Sequence, residues 1–130
     1  MLTNAQVEAV IPVSDIEEAL SFYGEKLGLE VLERMDDLPD NPEIRFRVGN
    51  GVLAAYKSVG AGQSRHTLLS FVVDDVRSTV AALRERGVTF EEYDTPDIKT
   101  EGGIAEMGNA IAAWFKDPDG NILAVGSYGG

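Results

Sequence analysis

The chain contains one pattern twice. Val-Ser-Asp-Ile at residues 13–16 returns as Val-Asp-Asp-Val at residues 73–76, an offset of 60 residues. Phe46 corresponds to Phe115, and the Asn-Gly turn at residues 50–51 to the Asp-Pro-Asp-Gly turn at residues 117–120, at an offset of 69. Because these features recur in the same order, we interpret the chain as two copies of one structural module. A chance likeness between two α+β stretches is the alternative.

Each copy opens with a strand followed by a helix. Residues 7–13 alternate between apolar and other side chains, and Thr67, Leu69, Phe71 and Val73 repeat that alternation. Asp15 and Asp75 then offer N-caps, and apolar residues recur at helical spacing until Gly28 and Gly87. The pattern predicts one helix at residues 15–27 and a second that ends at residue 87.

Each copy continues with three strands. In the first copy they are predicted at residues 29–34, 43–48 and 52–59, with a polar loop at residues 36–42. In the second copy they are predicted at residues 88–93 and in a hairpin at residues 113–125, whose Asp-Pro-Asp-Gly turn is a strong reversal signal. A loop at residues 94–109, rich in glycine, is predicted to be a mobile flap. The predicted fold class is therefore α+β, with two tandem βαβββ modules at about residues 5–60 and 65–128 in a single domain.

Composition restricts the partners. Eleven Lys and Arg against 22 Asp and Glu give a formal charge of −11, which repels nucleic acid and anionic membranes and favours cationic partners. The alternative is that the acidity serves solubility alone. The chain has no cysteine, no apolar run of roughly the 18 residues needed to span a membrane, and no secretory pattern at its N-terminus. We expect no nucleic-acid or membrane partner and a cytoplasmic location.

Two motifs carry a resemblance to a known family. They are Val-Ser-Asp-Ile-x-x-Ala-Leu-x-Phe-Tyr-x-x-x-Leu-Gly-Leu at residues 13–29 and Trp-Phe-Lys-Asp-Pro-Asp-Gly-Asn at residues 114–121. Together they resemble the vicinal-oxygen-chelate superfamily, which includes glyoxalase I, bleomycin-resistance proteins, fosfomycin-resistance enzymes and extradiol dioxygenases. The resemblance implies a curled mixed sheet around a ligand cup, with the helices outside, and a homodimer. It does not select an activity, because this fold hosts several chemistries as well as simple binders.

The resemblance also implies where a metal would be held. The four ligand positions of the metal-dependent members fall on Glu8, Ala55, Leu68 and Ala124, and the internal offsets relate the first pair to the second. A transition metal needs about three or four N, O or S ligands. Only Glu8 offers a donor atom, so we expect no metal and no other cofactor.

His66 is the one imidazole in the chain. It precedes Leu68 by two residues, which is about 6.6 Å along a strand and too far for it to replace Leu68 as a ligand without a change of register. Three interpretations stay open: a metal ligand, an exposed polar residue at the mouth of the strand, and a ligand contact at the rim of the cup.

Without a metal, the cup must bind by shape and charge. Small residues beside the one tryptophan, Trp114, indicate a hollow with a stacking wall; core packing is the alternative for Trp114. Arg45 and Arg47 either favour an anionic substituent on the ligand or form an exposed strand face. The predicted ligand-binding residues are Glu8, Arg45, Arg47, Ala55, His66, Leu68, Ala112, Trp114 and Ala124, and the wider lining adds Val10, Leu53, Lys57, Ser70 and Ile122.

Two classes of function remain. The first is a metal-free binding protein that resembles the bleomycin-resistance type and sequesters an aromatic or cationic compound, as in antibiotic resistance. The second is a glyoxalase-like lyase or isomerase with Glu8 as general base, which would lack the electrostatic stabilisation that a metal supplies. A protein-interaction module without a ligand is a third class, and it leaves the small residues of the cup unexplained.

Overall fold

The computed structural model describes residues 1–35 and 42–128, and it divides into two compact units, Met1–Gly62 (unit 1) and Gln63–Gly130 (unit 2). The predicted loop at residues 36–42 lies outside the described residues, except for Pro42. Unit 1 contains β1 (Ala9–Val13), α1 (Ile16–Ala19), β2 (Glu30–Met35), β3 (Glu43–Val48) and β4 (Gly51–Lys57). Unit 2 contains β5 (Thr67–Val72), α2 (Val76–Glu85), β6 (Ile104–Met107), β7 (Ala110–Lys116) and β8 (Ile122–Tyr128).

The two units share one topology. The strand order is β1-β4-β3-β2 in unit 1 and β5-β8-β7-β6 in unit 2. In each sheet the first and last strands of the unit pair in parallel, and the other neighbours pair antiparallel. The α+β fold with two tandem βαβββ modules is therefore confirmed.

Both helices begin with the same cap. The carboxylate of Asp15 accepts a hydrogen bond from the backbone N–H of Glu18 at 3.1 Å, and that of Asp75 accepts one from Ser78 at 3.1 Å. Each bond satisfies a donor that has no partner within the helix. Beyond Ala19 the first helix departs from the prediction, because it continues as a π-helical segment (Leu20–Lys26).

The helix of each unit covers one face of its sheet. In unit 1, Tyr23 is fully buried and its ring lies 5.9 Å from that of Phe46 on β3. In unit 2, buried Val80 of α2 belongs to a core that contains Phe115 and Leu123. Burial of such side chains contributes roughly 1.5–3 kcal/mol each, so these two helix-covered faces supply most of the apolar stabilisation of their units.

The register of β4 corrects one prediction. Ala55 lies opposite Ile11 on β1 and Ile44 on β3, and all three side chains are fully buried on the helix-covered face. Leu53 lies on that face too, opposite Phe46. The expectation that Leu53, Ala55 and Lys57 line a ligand cup was wrong by one residue. Val52, Ala54 and Tyr56 occupy the other face.

The error has a physical cause in the two hairpins. Phe46 pairs with Leu53 in unit 1, whereas the equivalent Phe115 pairs with Leu123, and the connection between the partners is one residue longer in unit 2. The offset of 69 that relates the third strands therefore becomes 70 for the fourth. Since side chains alternate along a strand, a shift of one residue exchanges the two faces.

The long hairpin of unit 2 is confirmed, and its turn is built around a buried carboxylate. Asp117 Oδ1 accepts hydrogen bonds from the backbone N–H groups of Asp119 at 3.0 Å and Asn121 at 2.9 Å. Oδ2 accepts a third from the side-chain amide of Asn121 at 2.8 Å. Gly120 adopts a φ of 89°, which is a conformation that favours glycine. The motif thus reverses the chain and satisfies its own buried polar groups.

The edge strand of unit 2 differs from the prediction. Residues 88–93 form no strand; Phe90 makes one isolated bridge to Phe115, and the N–H of Glu91 donates to the carbonyl of Trp114 at 2.8 Å. The neighbouring half of β7 pairs instead with β6, which lies inside the stretch predicted to be a loop. An insertion at residues 94–103 therefore divides this edge into two pieces.

Across the described residues, no helix is long and apolar enough to cross a membrane.

Candidate functional site

Each sheet has a second face, opposite its helix, which we call the helix-free face. Phe46 and Phe115 lie on the helix-covered faces. Because side chains alternate along a strand, the residues next to them in sequence lie on the helix-free faces. In unit 1 it carries Val10, Pro12, Arg45, Arg47, Val52, Ala54 and Tyr56. In unit 2 it carries Ser70, Val72, Ala110, Ala112, Trp114, Ala124, Gly126 and Tyr128.

The helix-free face of unit 1 is held by ion pairs. Val10, Ala54 and Arg45 form one row across β1, β4 and β3. Ala54 is only 2% exposed, and its methyl group is small enough for the Arg45 side chain to cross the row and form an ion pair with Glu8. A second carboxylate, that of Glu43, lies 3.7 Å from the same guanidinium.

Arg47 is also paired. Its Nε donates to Glu30 Oε2 at 2.9 Å. Among the described residues of this face, the two arginines thus meet the carboxylates of Glu8, Glu43 and Glu30, and the cluster carries a net negative charge. The sequence placed both arginines on this face correctly. Their positive charge is balanced locally, which weakens the expected attraction for an anionic substituent.

The residues at the four metal positions do not fit a metal. The register pairs Ala54, rather than Ala55, with Val10 on the helix-free face. Neither alanine has a donor atom. Leu68 and Ala124 have none either. In residues 1–35 and 42–128, no group of three or more His, Cys, Asp or Glu side chains is arranged to hold a metal ion. The donor chemistry of these positions therefore offers one carboxylate, Glu8, which is already bound by Arg45.

The helix-free face of unit 2 is mostly apolar and built from small residues. Ala124 lies between Ser70 and Trp114 in one row, and Gly126 lies between Val72 and Ala112 in the next. The predicted residues Ala112, Trp114 and Ala124 are thus brought onto one face.

Hydroxyl groups border the small residues. A Cβ placed on Gly126 would lie 3.7 Å from Ser70 Oγ and 3.8 Å from Tyr128 Oη. The sequence prediction included Ser70 but missed Gly126 and Tyr128, although both continue the alternation that begins at Ile122 and Ala124. This face therefore combines an apolar floor with two groups able to hydrogen-bond.

Trp114 is half-buried and lies outside the helix-covered core. Its neighbour Phe115 is fully buried on the opposite face. The indole meets the ring of Tyr93 edge-on, with centroids 5.6 Å apart and an interplanar angle of 77°. This arrangement leaves part of the indole surface accessible for stacking. No periodicity in the sequence indicated Tyr93, because the contact joins an irregular segment to β7.

His66 lies before β5 and is exposed. Its Nδ1 lies 3.0 Å from Ser64 Oγ, and its backbone N–H donates to the same oxygen at 3.3 Å. Leu68 is half-buried, at a point where the register between β5 and β8 shifts. The surroundings of His66 are those of a polar residue at the mouth of a strand, one of the three interpretations above.

Two surface pockets lie away from the predicted residues. One, of about 340 Å³, is lined by Arg77, Lys99, Glu101, Ile104 and Glu106. The other, of about 310 Å³, surrounds the start of α1 and includes Pro42 and Lys57. Among the described residues that line them, none belongs to the predicted ligand-binding set; Lys57 belongs only to the wider lining.

Known proteins resemble this chain over nearly its whole length. The family model of the Glyoxalase/Bleomycin resistance protein/Dioxygenase superfamily matches residues 5–125. The uncharacterized protein YraH of Bacillus subtilis is 30% identical over 124 residues, which cover 87% of this chain and 90% of that protein. A probable chloroplastic lactoylglutathione lyase of Arabidopsis thaliana is 26% identical over 127 residues, and the chain spans only 33% of its length.

Solved structures agree on the fold. A putative glyoxalase family protein from Bacillus anthracis superposes with a TM-score of 0.74 at 18% identity, covering 96% of this chain and 95% of that one. A lactoylglutathione lyase from Agrobacterium tumefaciens superposes with a TM-score of 0.72 at 17% identity, covering 98% and 96%. With the family model matching most of the sequence, the resemblance first drawn from two motifs is confirmed, and the chain belongs to the glyoxalase/bleomycin resistance protein/dioxygenase superfamily.

Proposed function

We propose that this protein binds a small aromatic or cationic molecule without a metal ion, as a sequestering protein of the glyoxalase/bleomycin-resistance type. The observation that supports it most is the half-buried indole of Trp114, on an apolar face whose neighbouring positions are alanine and glycine. Sites for small molecules are commonly apolar with a few polar groups. Ser70 and Tyr128 are the hydroxyl groups nearest this floor and the proposed hydrogen-bonding partners.

The indole sets the chemistry of the ligand. A planar ring stacked on Trp114 would gain about 0.5–1.5 kcal/mol beyond the burial of its area, and a cation over the ring gains about 2 kcal/mol when desolvated. The formal charge of −11 raises the local concentration of cations around the whole chain. A planar aromatic cation would gain from both the stacking and the cation–π attraction. Sequestering such a compound would suit a role in antibiotic resistance.

Donor chemistry supports metal independence. Leu68, Ala124 and either alanine of β4 cannot coordinate an ion, and the one carboxylate at these positions, Glu8, forms an ion pair with Arg45. The proposal therefore assigns no role to a metal. A cytoplasmic location belongs to the same proposal, since a chain with no cysteine gains nothing from an oxidising compartment.

The proposed working unit is a homodimer. Large apolar side chains are exposed on the helix-free faces, with Val10 at 59%, Val72 at 68% and Tyr128 at 69%. Val10 and Val72 lie on the edge strands β1 and β5, and exposed apolar groups at sheet edges favour association. Sedimentation at micromolar concentration measures this directly, and a monomer there would contradict it.

A second candidate is a glyoxalase-like lyase or isomerase. It is favoured by the names of the Arabidopsis and Agrobacterium relatives. Glu8 would be its general base, but the carboxylate is engaged by Arg45. Among the described residues, no group of side chains could hold a metal ion that would stabilise an enediolate. Lactoylglutathione lyase activity that is abolished in Glu8→Gln would favour this candidate over the binding protein.

The binding proposal is tested with two matched probes. N-methylquinolinium and quinoline share one ring system and differ in charge. We expect N-methylquinolinium to quench the fluorescence of Trp114, the only tryptophan, and to bind more tightly than quinoline, with unchanged affinity after treatment with EDTA.

Calorimetry with variants completes the test. Trp114→Ala should weaken binding of N-methylquinolinium about tenfold, whereas Trp114→Phe retains part of the affinity through its ring. Unchanged affinity in Trp114→Ala, or the absence of any binding in the wild type, would contradict the proposed site.

A further inference from the structure

The insertion at residues 94–103 is closed at its base by a group of hydrogen bonds. The carboxylate oxygen Oε1 of Glu92 accepts from Thr100 Oγ1 at 2.8 Å and from the N–H of Gly103 at 2.5 Å. The N–H of Tyr93 donates to Thr100 Oγ1 at 2.8 Å, and the N–H of Thr100 donates to the carbonyl of Tyr93 at 2.8 Å. We call these bonds among Glu92, Tyr93, Thr100 and Gly103 the clasp.

The clasp joins the two points where the chain leaves and rejoins the edge of β7. Before it, Glu91 donates its N–H to the carbonyl of Trp114; after it, Ile104 begins β6, which pairs with Ala113. Both polar groups of the Tyr93 backbone are held by Thr100. The backbone of Tyr93, which carries the ring, is therefore held by the clasp rather than by a regular strand.

We propose that Glu92 and Thr100 are positioning residues that act through Tyr93 to orient the indole of Trp114. Their side chains bond to the base of the insertion, while the Tyr93 ring lies edge-on against the indole at 5.6 Å. This arrangement restricts the rotation of a half-buried side chain before any ligand arrives. The idea rests on the proposed function only for the consequence that a fixed indole binds its ligand more tightly.

The physical reason is the entropy of the indole. Fixing a mobile interface side chain during binding costs roughly 0.5–1.5 kcal/mol, and a side chain held in advance avoids that cost. The ring contact itself is worth a similar amount. Loosening the clasp should therefore weaken binding by about two- to tenfold and increase the motion of the indole in the free protein.

The first measurement uses the free protein. Trp114 is the only tryptophan, so fluorescence anisotropy and near-ultraviolet circular dichroism report on its mobility without labels. Thr100→Val, which removes the hydroxyl but keeps the shape, should lower the anisotropy and reduce the tryptophan dichroism. Thr100→Ser restores the hydroxyl and should restore both signals.

A matched control lies in the same insertion. Thr95 bonds through its hydroxyl to the backbone of Ile98 and takes no part in the clasp; Thr95→Val should leave both signals unchanged. In a Tyr93→Ala background, Thr100→Val should have no further effect if the clasp acts through Tyr93. Should Thr100→Val fail to fold, Glu92→Gln makes the same test by weakening two of the bonds.

Binding of N-methylquinolinium separates this inference from the proposed function. If Thr100→Val loosens the indole and the wild type binds no probe, the positioning role of the clasp is supported and the proposed function is contradicted. If the wild type binds and Thr100→Val changes neither the anisotropy nor the affinity, the positioning role of the clasp is contradicted and the proposed function is supported. An equal effect of Thr95→Val would also overturn the clasp, because it would reflect general loosening of the insertion.

Discussion

Arg45 and Trp114 occupy the same position in the two sheets. Each precedes a fully buried phenylalanine by one residue, and each lies directly opposite an alanine of the last strand, Ala54 or Ala124. One position has become part of an ion-paired cluster, and the other carries an aromatic surface. The duplicated scaffold therefore presents two chemically different faces, which is how one fold supports many binding functions.

The purified protein should contain no stoichiometric transition metal. The four metal positions offer a single carboxylate, and a stable site needs about three or four donors. Elemental analysis should find no Zn, Ni, Mn or Fe near one ion per chain, and EDTA should leave the melting temperature unchanged. About one tightly held ion per chain would show that this prediction is wrong.

Arg45→Ala should destabilise the protein more than Arg47→Ala does. Arg45 meets both Glu8 and Glu43 with a side chain that is 25% exposed, whereas Arg47 meets Glu30 with a side chain that is 55% exposed. Exposed pairs contribute about 0.2–1 kcal/mol, and less in salt. Urea unfolding should show a loss of about 1–2 kcal/mol for Arg45→Ala and less than about 0.5 kcal/mol for Arg47→Ala. Equal losses would mean that the ion pairs of Arg45 and those of Arg47 contribute equally to the free energy of unfolding.

Asp117→Ala should cost about 2–4 kcal/mol of unfolding free energy. The substitution leaves the buried N–H of Asn121 and the side-chain amide of the same residue without their acceptor, and unsatisfied buried groups cost about 1–3 kcal/mol each. Asp97→Ala, at an exposed position of the insertion, serves as the control and should change stability by less than about 0.5 kcal/mol. Thermal or urea unfolding of both variants makes the comparison.

The two helix caps should contribute independently. Asp15→Ala and Asp75→Ala each remove one bond of 3.1 Å to a helix N–H, at a cost of about 1 kcal/mol each. The caps share no partner, so the double variant should lose the sum within about 0.5 kcal/mol. A clear departure from additivity in urea unfolding would indicate coupling between the two caps.

The sequence by itself determined the features that depend on near neighbours in the chain. Asp15 and Asp75 cap helices because a carboxylate three residues before an N–H needs no distant partner. The Asp117 turn likewise forms from its own five residues. Alternation around Phe46 and Phe115 assigned Arg45, Arg47, Ala112 and Trp114 to the correct faces, because the pleat fixes side-chain direction within a strand.

Only the tertiary structure decided how the strands met. The second hairpin is one residue longer than the first, so the equivalent of Ala124 is Ala54 rather than Ala55, which lies in the core. The run of adjacent apolar residues Val52, Leu53, Ala54 and Ala55 on β4 could not reveal this. The division of the β7 edge, the pairing of β6 and the contact of Tyr93 with Trp114 depend on an insertion. Its base is closed by bonds between residues 7, 8 and 11 positions apart, which no helix or strand period indicates. Register and edge pairing are set by such non-local contacts, so local periodicity carries no information about them.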